Sequence, residues 1–293
     1  MPSGQSNPLS FLPASLRAPL LDLLHSASAK TASAGPVPLS AARRGDVPVA
    51  AFDADGTLWG VDVSDELLEW VDARGLVTRP SGAQSLKSWC DELCRVERAK
   101  GYAWAAAAYA GHPADEVAEW ADAAFEATGR AQIHPQLAEL VAVLQAAGVC
   151  VLVVSASPVW AVLPGARHLG IPDENVLAIE VEREVVGGRV RLTDRVRAPV
   201  TSSQGKVARI EDALGRAPFF AAGNTIDDLP MIEFATTFRL VVDPRPPHGA
   251  GTADVGAIAA ERGYPVLLTG ALAAAGSALG AHSARTSAGG PSA

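Results

Sequence analysis

Four short apolar runs restrict the folds that this chain can adopt. They are VPVAAF (47–52), VCVLVV (149–154), PFFAA (218–222) and FRLVV (238–242). Runs of this length without alternating polar residues are typical of parallel strands that are buried on both faces. Segments with helical periodicity separate each run from the next. Strands that alternate with helices predict an α/β fold with a doubly wound parallel sheet.

Each apolar run ends at a polar residue or a turn residue. These ends are Asp53, Ser155, Gly223–Asn224 and Asp243. In open parallel sheets a ligand binds beyond the carboxyl ends of the strands. We therefore expect residues about 100 positions apart in sequence to converge in one crevice.

The chain divides into a core, an insertion and two flanking segments. Residues 60–133 contain four helical stretches and predict a small helical cap domain inserted after the first strand. Residues 47–59 and 134–269 then form the α/β core. Residues 1–46 read as an amphipathic helix followed by a linker, and residues 270–293, rich in small residues, are expected to be a disordered tail.

A β-hairpin is predicted at VLAIEVEREVVGGRVRL (176–192), with Gly187–Gly188 as its turn.

Composition favours a small-molecule partner. The 293 residues are 48% hydrophobic, which suffices for a sizeable core. A formal net charge of -8, without a dense Lys/Arg cluster, argues against nucleic acid and anionic membranes as partners. Because no apolar tract reaches the length of a membrane span and the N-terminus lacks a signal-peptide pattern, we expect a cytoplasmic protein.

Three cysteines fit a reducing compartment. Cys90 and Cys94 lie one helical turn apart, where a disulfide or a complete metal site is implausible, and Cys150 begins an apolar run. We interpret all three as free thiols in or near the core. The six histidines are scattered without metal-ligand spacing.

Asp53 and Asp55 stand one residue apart at the end of the first predicted strand. Two neighbouring carboxylates disfavour each other's ionisation unless a cation binds them or one holds a proton. An Asp-rich turn is the alternative interpretation, since Asp and Gly are ordinary turn residues. A strand places residues i and i+2 on the same side, so both carboxylates could flank one ligand.

Four motifs, taken in order, carry a family resemblance. They are Asp53-x-Asp55-Gly56-Thr57, Ser155 after the second run, Lys206 at a helix start, and GNTIDDLPM at 223–231. The ordered set resembles the haloacid dehalogenase superfamily over about residues 47–245, which implies its Rossmann-like core. The insertion resembles the cap of the phosphoserine phosphatase-like branch.

The resemblance implies a Mg²⁺-dependent phosphatase acting on a small phosphomonoester. Asp53 would attack phosphorus and form an aspartyl-phosphate, while Asp55 would act as general acid and base. Asp53 and the backbone carbonyl of Asp55 would also hold the metal. Phosphate-binding groups would be Ser155, Lys206, Gly56 and Thr57. An acid at Asp55 favours phosphoryl over haloalkane substrates.

The fourth motif departs from the family pattern. Asn224 occupies the first acidic place, Asp228 matches the second, and Asp227 is an additional carboxylate. An Asn oxygen can bind Mg²⁺ without contributing charge. Asn224, Asp228 and Asp227 therefore all stay open as metal ligands.

Two residues in or beside the insertion could determine specificity. Asp62 stands nine residues after Asp53, where phosphoserine phosphatases carry an acidic residue that meets the substrate amine. A helix N-terminal Asp is an equal alternative. Trp59 could pack the cap, form an aromatic wall for a quaternary ammonium group, or act as a lid.

The leading hypothesis is therefore a phosphatase, with an amine-bearing ester such as phosphoserine, phosphocholine or phosphoethanolamine as a possible substrate. A phosphotransferase of the same fold is a rival within enzymes. A catalytically weak phosphometabolite-binding protein is a rival from another class, motivated by Asn224.

Overall fold

The computed structural model describes residues 8–28, 35–244 and 253–269. Its helices are α1 (Ala14–Ser28), α2 (Leu39–Ala42), α3 (Val63–Ala73), α4 (Leu86–Val96), α5 (Arg98–Ala107), α6 (Ala114–Ala124), α7 (Pro135–Ala146), α8 (Val159–His168), α9 (Gln204–Leu214), α10 (Leu229–Phe234) and α11 (Val255–Arg262). Its strands are β1 (Val49–Phe52), β2 (Cys150–Pro158), β3 (Val176–Ile179), β4 (Val181–Val186), β5 (Arg189–Val196), β6 (Phe220–Gly223), β7 (Phe238–Val242) and β8 (Val266–Leu267). The predicted tail lies outside the described residues.

A six-stranded parallel sheet organises the chain, in the order β3-β2-β1-β6-β7-β8. The four apolar runs supply β1, β2, β6 and β7, so the predicted α/β class with a doubly wound parallel sheet is confirmed. Strand β1 is central: Ala51 pairs with Leu152 of β2 on one side and with Ala221 of β6 on the other.

Helices cover both faces of the sheet, which explains why its strands lack polar alternation. Ala50 and Phe52 of β1 belong to one apolar cluster with residues of α1, α7 and α8. Val49 and Ala51 belong to a second cluster with residues of α2, α9 and α10. Because successive side chains of a strand point to opposite faces, these two clusters lie on opposite sides of the sheet.

The hairpin is shorter than the sequence suggests. Its turn is confirmed at Gly187–Gly188, which both have positive φ angles, and β4 pairs antiparallel with β5. Val176–Ile179, however, joins the main sheet as β3, beside β2. All four residues of β3 are buried, whereas most residues of β4 are exposed. This difference in burial distinguishes a strand of the main sheet from a strand of the hairpin.

Helices α3 to α6 lie between β1 and β2, within the segment predicted as a cap. A division of the chain at residues 60 and 133 remains a prediction. The hairpin contacts this segment: Gly111 and Leu192 form a backbone hydrogen bond of 2.8 Å, and Arg189 forms ion pairs with Asp115 and Glu116.

Helix α1 packs on the core. Its Leu16, Leu20 and Leu24 are buried in the first cluster, and the preceding Leu9 amide donates to Glu139 of α7 at 2.9 Å. Among the described residues, no helix is both long and apolar enough to cross a bilayer.

Candidate active site

A cavity of about 580 Å³ opens where the carboxyl ends of β1 and β6 meet the helices α3 to α5. The sheet side contributes Asp53, Asp55, Ser157, Lys206, Asn224, Thr225, Asp227 and Asp228. The inserted helices contribute Asp62, Ser64, Asp65, Cys90, Asp91, Cys94, Arg95, Arg98, Tyr102 and Ala105. The structure therefore gathers residues from all four motif regions or their immediate neighbours.

Asp53 lies directly beyond β1 and is almost fully buried. Its amide continues the strand pairing by donating to Ala222 at 2.9 Å. Its Oδ1 accepts from Lys206 at 2.6 Å, and its Oδ2 accepts from Thr57 at 2.8 Å. Burial and the nearby Asp228 raise the pKa of Asp53 to about 7, against the lowering effect of Lys206. A further cation would therefore favour the ionised carboxylate at neutral pH.

Lys206, in the first turn of α9, is 1% exposed, and its ammonium group donates three hydrogen bonds. Nζ donates to Asp53 Oδ1 at 2.6 Å, to Asp228 Oδ1 at 2.6 Å and to the Val154 carbonyl at 2.8 Å. Burial lowers the pKa of Lys206, but the two carboxylates outweigh it and the net shift is upward. Lys206 is thus a fixed positive charge between the ends of β1 and β6.

Asp55 lines the cavity, and its carboxylate is oriented by donors on both oxygens. Oδ1 accepts from the Trp59 indole at 2.8 Å and from the Val63 amide at 3.0 Å. Oδ2 accepts from the Ser157 hydroxyl at 2.6 Å and lies 3.5 Å from that of Ser155. These contacts hold Asp55 beside Asp53.

The indole of Trp59 is turned into the core and does not line the cavity. Trp59 is fully buried, and its ring meets Phe125 edge-to-face at 5.7 Å. The structure therefore does not bring Trp59 to the position that an aromatic wall requires.

Ser157, rather than Ser155, reaches the cavity. Ser155 is fully buried, and its hydroxyl accepts from the Ser157 amide at 3.1 Å. Sequence reasoning missed Ser157, although the Ser-x-Ser spacing on β2 is a signal for two hydroxyls on one side of a strand. Gly56 and Thr57 also lie behind the cavity wall, with Gly56 at a φ of 80° and Thr57 bound to Asp53.

The loop after β6 separates the roles of the two adjacent acids. Asp228 Oδ2 accepts from the amides of Asn224 and Thr225, at 3.0 and 2.9 Å, and from the Thr225 hydroxyl at 2.8 Å. Burial opposes ionisation, but Lys206 and these donors prevail, so the pKa of Asp228 is lowered. Asp228 therefore supports the loop as a carboxylate.

Asp227 points to the inserted helices. Its Oδ2 accepts from Arg98 Nη1 at 2.5 Å and lies 3.5 Å from the hydroxyl of Tyr102. This pair connects the start of α5 to the loop after β6, a contact between residues that are 129 positions apart.

Asn224 is 1% exposed and lines the same cavity. Neither its Oδ1 nor its Nδ2 has a hydrogen-bond partner among the described residues. A buried amide without partners is costly, and an oxygen in this state fits a bound cation or substrate group.

Asp62 is a helix N-cap that also lies on the cavity wall. Its Oδ1 accepts from the amides of Ser64 and Asp65, at 3.0 and 3.1 Å, as the N-cap of α3. By contrast, Asp243 at the end of β7 bonds to Thr269 and does not face this cavity.

Comparisons with known proteins place this geometry in context. The family model for haloacid dehalogenase-like hydrolases matches residues 50–233. No curated protein matches the sequence.

Solved structures that resemble the fold include the following three. A protein of unknown function from Bordetella pertussis Tohama I is 23% identical, with a TM-score of 0.63 over 76% of this chain and 99% of that chain. A functionally unknown protein from Anaerococcus prevotii DSM 20548 is 13% identical, with a TM-score of 0.58 over 86% of this chain and 91% of that chain. Cytosolic 5'-nucleotidase IIIB bound to cytidine is 13% identical, with a TM-score of 0.50 over 88% of both chains. At these identities the likeness concerns the fold.

Proposed function

Because the chain belongs to the haloacid dehalogenase-like hydrolases, we propose that it is a Mg²⁺-dependent phosphatase of a small phosphomonoester. The supporting observation is the placement of Asp53 and Asp55 on one cavity, with Lys206 held 2.6 Å from Asp53. An anionic nucleophile that attacks a phosphate ester needs nearby positive charge to offset repulsion. Lys206 supplies one such charge.

Asp53 is the proposed nucleophile. Lys206 and Thr57 hold its two oxygens and fix the direction of attack. As the bond from Asp53 to phosphorus forms, the ester bond breaks, and Asp55 transfers a proton to the departing alkoxide. Asp55 then takes a proton from the water that hydrolyses the aspartyl-phosphate. Ser157 lies on the cavity wall, where its hydroxyl, which donates to Asp55 without substrate, would turn to donate to a phosphoryl oxygen.

The donor set of the cavity fits Mg²⁺, which prefers oxygen ligands. The partnerless Oδ1 of Asn224 is the clearest sign, and the Asp53 carboxylate and Asp55 backbone carbonyl would complete the protein ligands. Asp228 is engaged by Lys206 and the loop amides, and Asp227 by Arg98, so we propose that these two support the site indirectly. When bound, Mg²⁺ would offset the negative charge of the phosphoryl group and Asp53.

An amine-bearing substrate is the finer part of this proposal. The inserted helices present Asp62, Asp65 and Asp91 to the cavity, and Lys87 lies 3.3 Å from Asp65 and 2.9 Å from Asp91. Lys87 therefore already balances part of this charge. We assign Asp62 to a substrate ammonium group because it lines the cavity and stands nine residues after Asp53, where the resemblance to phosphoserine phosphatases places an acidic residue that meets the substrate amine. The cavity volume of about 580 Å³ suits a small ester.

The test is phosphate release, with and without Mg²⁺, from phosphoserine, phosphocholine, phosphoethanolamine, sugar phosphates and nucleotides. We expect turnover that Asp53→Asn abolishes and that Asp115→Asn, an exposed carboxylate outside the cavity, leaves unchanged. Asp62→Ala should weaken amine-bearing esters more than sugar phosphates. Equal loss for both classes would refute the amine assignment, whereas activity retained in Asp53→Asn would refute the mechanism.

Product analysis in the presence of acceptor alcohols tests the outcome of the second step. Free phosphate alone is expected, and a phosphorylated alcohol would instead identify a phosphotransferase.

A further inference from the structure

Trp59 does not line the cavity, but its indole reaches a residue that does. Its Nε1 donates to Asp55 Oδ1 at 2.8 Å, and the Val63 amide donates to the same oxygen at 3.0 Å. Val63 is the first residue of α3, where backbone amides have no partner within the helix. Two N–H groups thus hold one oxygen of the proposed general acid.

The two oxygens of Asp55 have partners of different kinds. An indole N–H and a backbone N–H can only donate, so Oδ1 is bound as an acceptor on both contacts. Oδ2 instead faces the Ser157 hydroxyl at 2.6 Å, and a hydroxyl can turn to accept as well as to donate. A proton on Oδ1 would point toward two donors, whereas a proton on Oδ2 would not. The proton that Asp55 delivers should therefore reside on Oδ2.

Packing and backbone hydrogen bonding hold the indole of Trp59 against Asp55. The Trp59 side chain is fully buried, and its ring meets that of Phe125 edge-to-face, with 5.7 Å between the centroids. Gly165 of α8 makes room for the indole, because a Cβ at that position would lie 2.4 Å from the indole Cζ3. The Trp59 carbonyl accepts from the Gly56 amide at 2.7 Å. The indole N–H is therefore a donor fixed in advance of the reaction, which is the form in which a hydrogen bond assists a change of charge.

We propose that Trp59 is a positioning residue that directs Oδ2 of Asp55 to the leaving-group oxygen of the substrate. This role rests on the proposed phosphatase function, in which Asp55 is the general acid. As an oxygen of Asp53 bonds to phosphorus, the ester P–O bond breaks and its electron pair stays on the leaving oxygen, which takes the proton from Asp55 Oδ2. Asp55 is left as a carboxylate, and the N–H groups of Trp59 and Val63 stabilise the charge that it gains.

Two aryl phosphates distinguish the positioning of a proton donor from a general loss of structure. The phenoxide released from phenyl phosphate is basic and benefits from a proton as it leaves, whereas the p-nitrophenolate of p-nitrophenyl phosphate leaves without one. The value of kcat/KM reports the steps up to departure of the alcohol and is unaffected by the later hydrolysis of the aspartyl-phosphate.

Trp59→Phe keeps an aromatic ring and removes the N–H. We expect it to lower kcat/KM for phenyl phosphate about tenfold, which is part of the roughly 10²–10⁴-fold that a general acid contributes. For p-nitrophenyl phosphate we expect a much smaller loss, because its departure does not depend on the proton.

Trp160→Phe is the matched control. Trp160 is also buried and lies outside the cavity, and its Nε1 has no hydrogen-bond partner among the residues that the structure describes. The same substitution there removes an N–H that orients nothing, so kcat/KM should change little and equally for the two substrates. A selective loss for phenyl phosphate in this control would overturn the proposal.

Two results with Trp59→Phe would also overturn it: equal losses for the two substrates, or no loss for phenyl phosphate. Failure of the proposed function is a different observation. In that case the unmutated protein would release no phosphate from either ester, or Asp53→Asn would keep the activity.

The contact itself can be tested without turnover and without Trp59→Phe, by nuclear magnetic resonance of protein labelled at its indole nitrogens. The Trp59 N–H signal should lie downfield and exchange slowly with solvent, because the group is buried and bound to a carboxylate. Asp55→Ala removes the acceptor, so this signal should move upfield while that of Trp160 stays in place. An unmoved Trp59 signal would refute the hydrogen bond and, with it, the positioning role.

Discussion

Adjacent aspartates provide a stringent test of how charge is arranged in this site. Asp227→Asn and Asp228→Asn make the same chemical change at neighbouring positions, but the two carboxylates differ in burial. The side chains of Asp228 and Lys206 are each 2% exposed, whereas those of Asp227 and Arg98 are 21% and 26% exposed. We expect Asp228→Asn to destabilise the protein much more than Asp227→Asn.

The magnitude follows from the contacts. Removing one partner of a buried ion pair costs about 3–5 kcal/mol. At position 228 an asparagine cannot accept from both Lys206 and the loop amides, because one of its two terminal atoms is a donor. Lys206 keeps Asp53 and the Val154 carbonyl, so we expect about 3 kcal/mol, the lower end of that range. The partly exposed Arg98–Asp227 pair should contribute about 1 kcal/mol or less.

Urea unfolding of metal-free protein measures the difference. Coincident transitions by tryptophan fluorescence and circular dichroism, with unchanged m values, are needed to compare free energies of unfolding. Asp228→Asn should lower the free energy of unfolding by about 2 kcal/mol more than Asp227→Asn does, which is the difference between the costs expected for the buried and the partly exposed ion pair. Equal losses, or a larger loss for Asp227→Asn, would refute the inference that Lys206 and Asp228 form the buried anchor of the site.

Three further measurements address other contacts. Without divalent cations, the free energy of unfolding should fall as pH rises from about 4 to about 7. Burial raises the pKa of Asp53 to about 7, so over this range the native state keeps a proton that the unfolded chain releases. Thermal unfolding in EDTA should show this pH dependence, and Asp53→Asn should lack it. Gly101→Ala should cost ~1–3 kcal/mol in urea unfolding, since its methyl group would collide with Cys94, while Gly45→Ala, with open space around it, should be nearly neutral. Asn224→Asp should strengthen Mg²⁺ binding in calorimetry, and an unchanged affinity would remove Asn224 from the ligand set.

The sheet was predictable where burial on both faces leaves a compositional signal. The runs that became β1, β2, β6 and β7 are apolar apart from Arg239, as expected for parallel strands covered by helices. Strand β8 has only two residues, too few for a periodic pattern. Strand β3 was merged with the hairpin because VLAIEVEREVV is continuous in sequence, and its boundary depends on pairing with β2, which is a tertiary contact.

The sequence also predicts that residues from separate strand ends meet in one site. Asp53, Asp55 and Asn224 follow strand ends, and parallel topology alone brings such residues together. The sequence does not predict that Ser157, rather than Ser155, lines the cavity. That outcome depends on how the irregular end of β2 is placed against Asp55. The sequence does not predict the partner of Asp227, because Arg98 is 129 residues away on a separate helix.

The surrounding charges give a physical reason for Asn224 at a position where the family pattern has an acidic residue. Asp53 and Asp228, which are both nearly fully buried, already share one ammonium group, that of Lys206, and Asp55 lines the same cavity. A fourth carboxylate at position 224 would add another buried negative charge beside Asp53, whose pKa is already raised. Asn224 keeps an oxygen for a cation while avoiding that charge. If Mg²⁺ binds as proposed, the asparagine would trade affinity for the metal against stability of the metal-free protein.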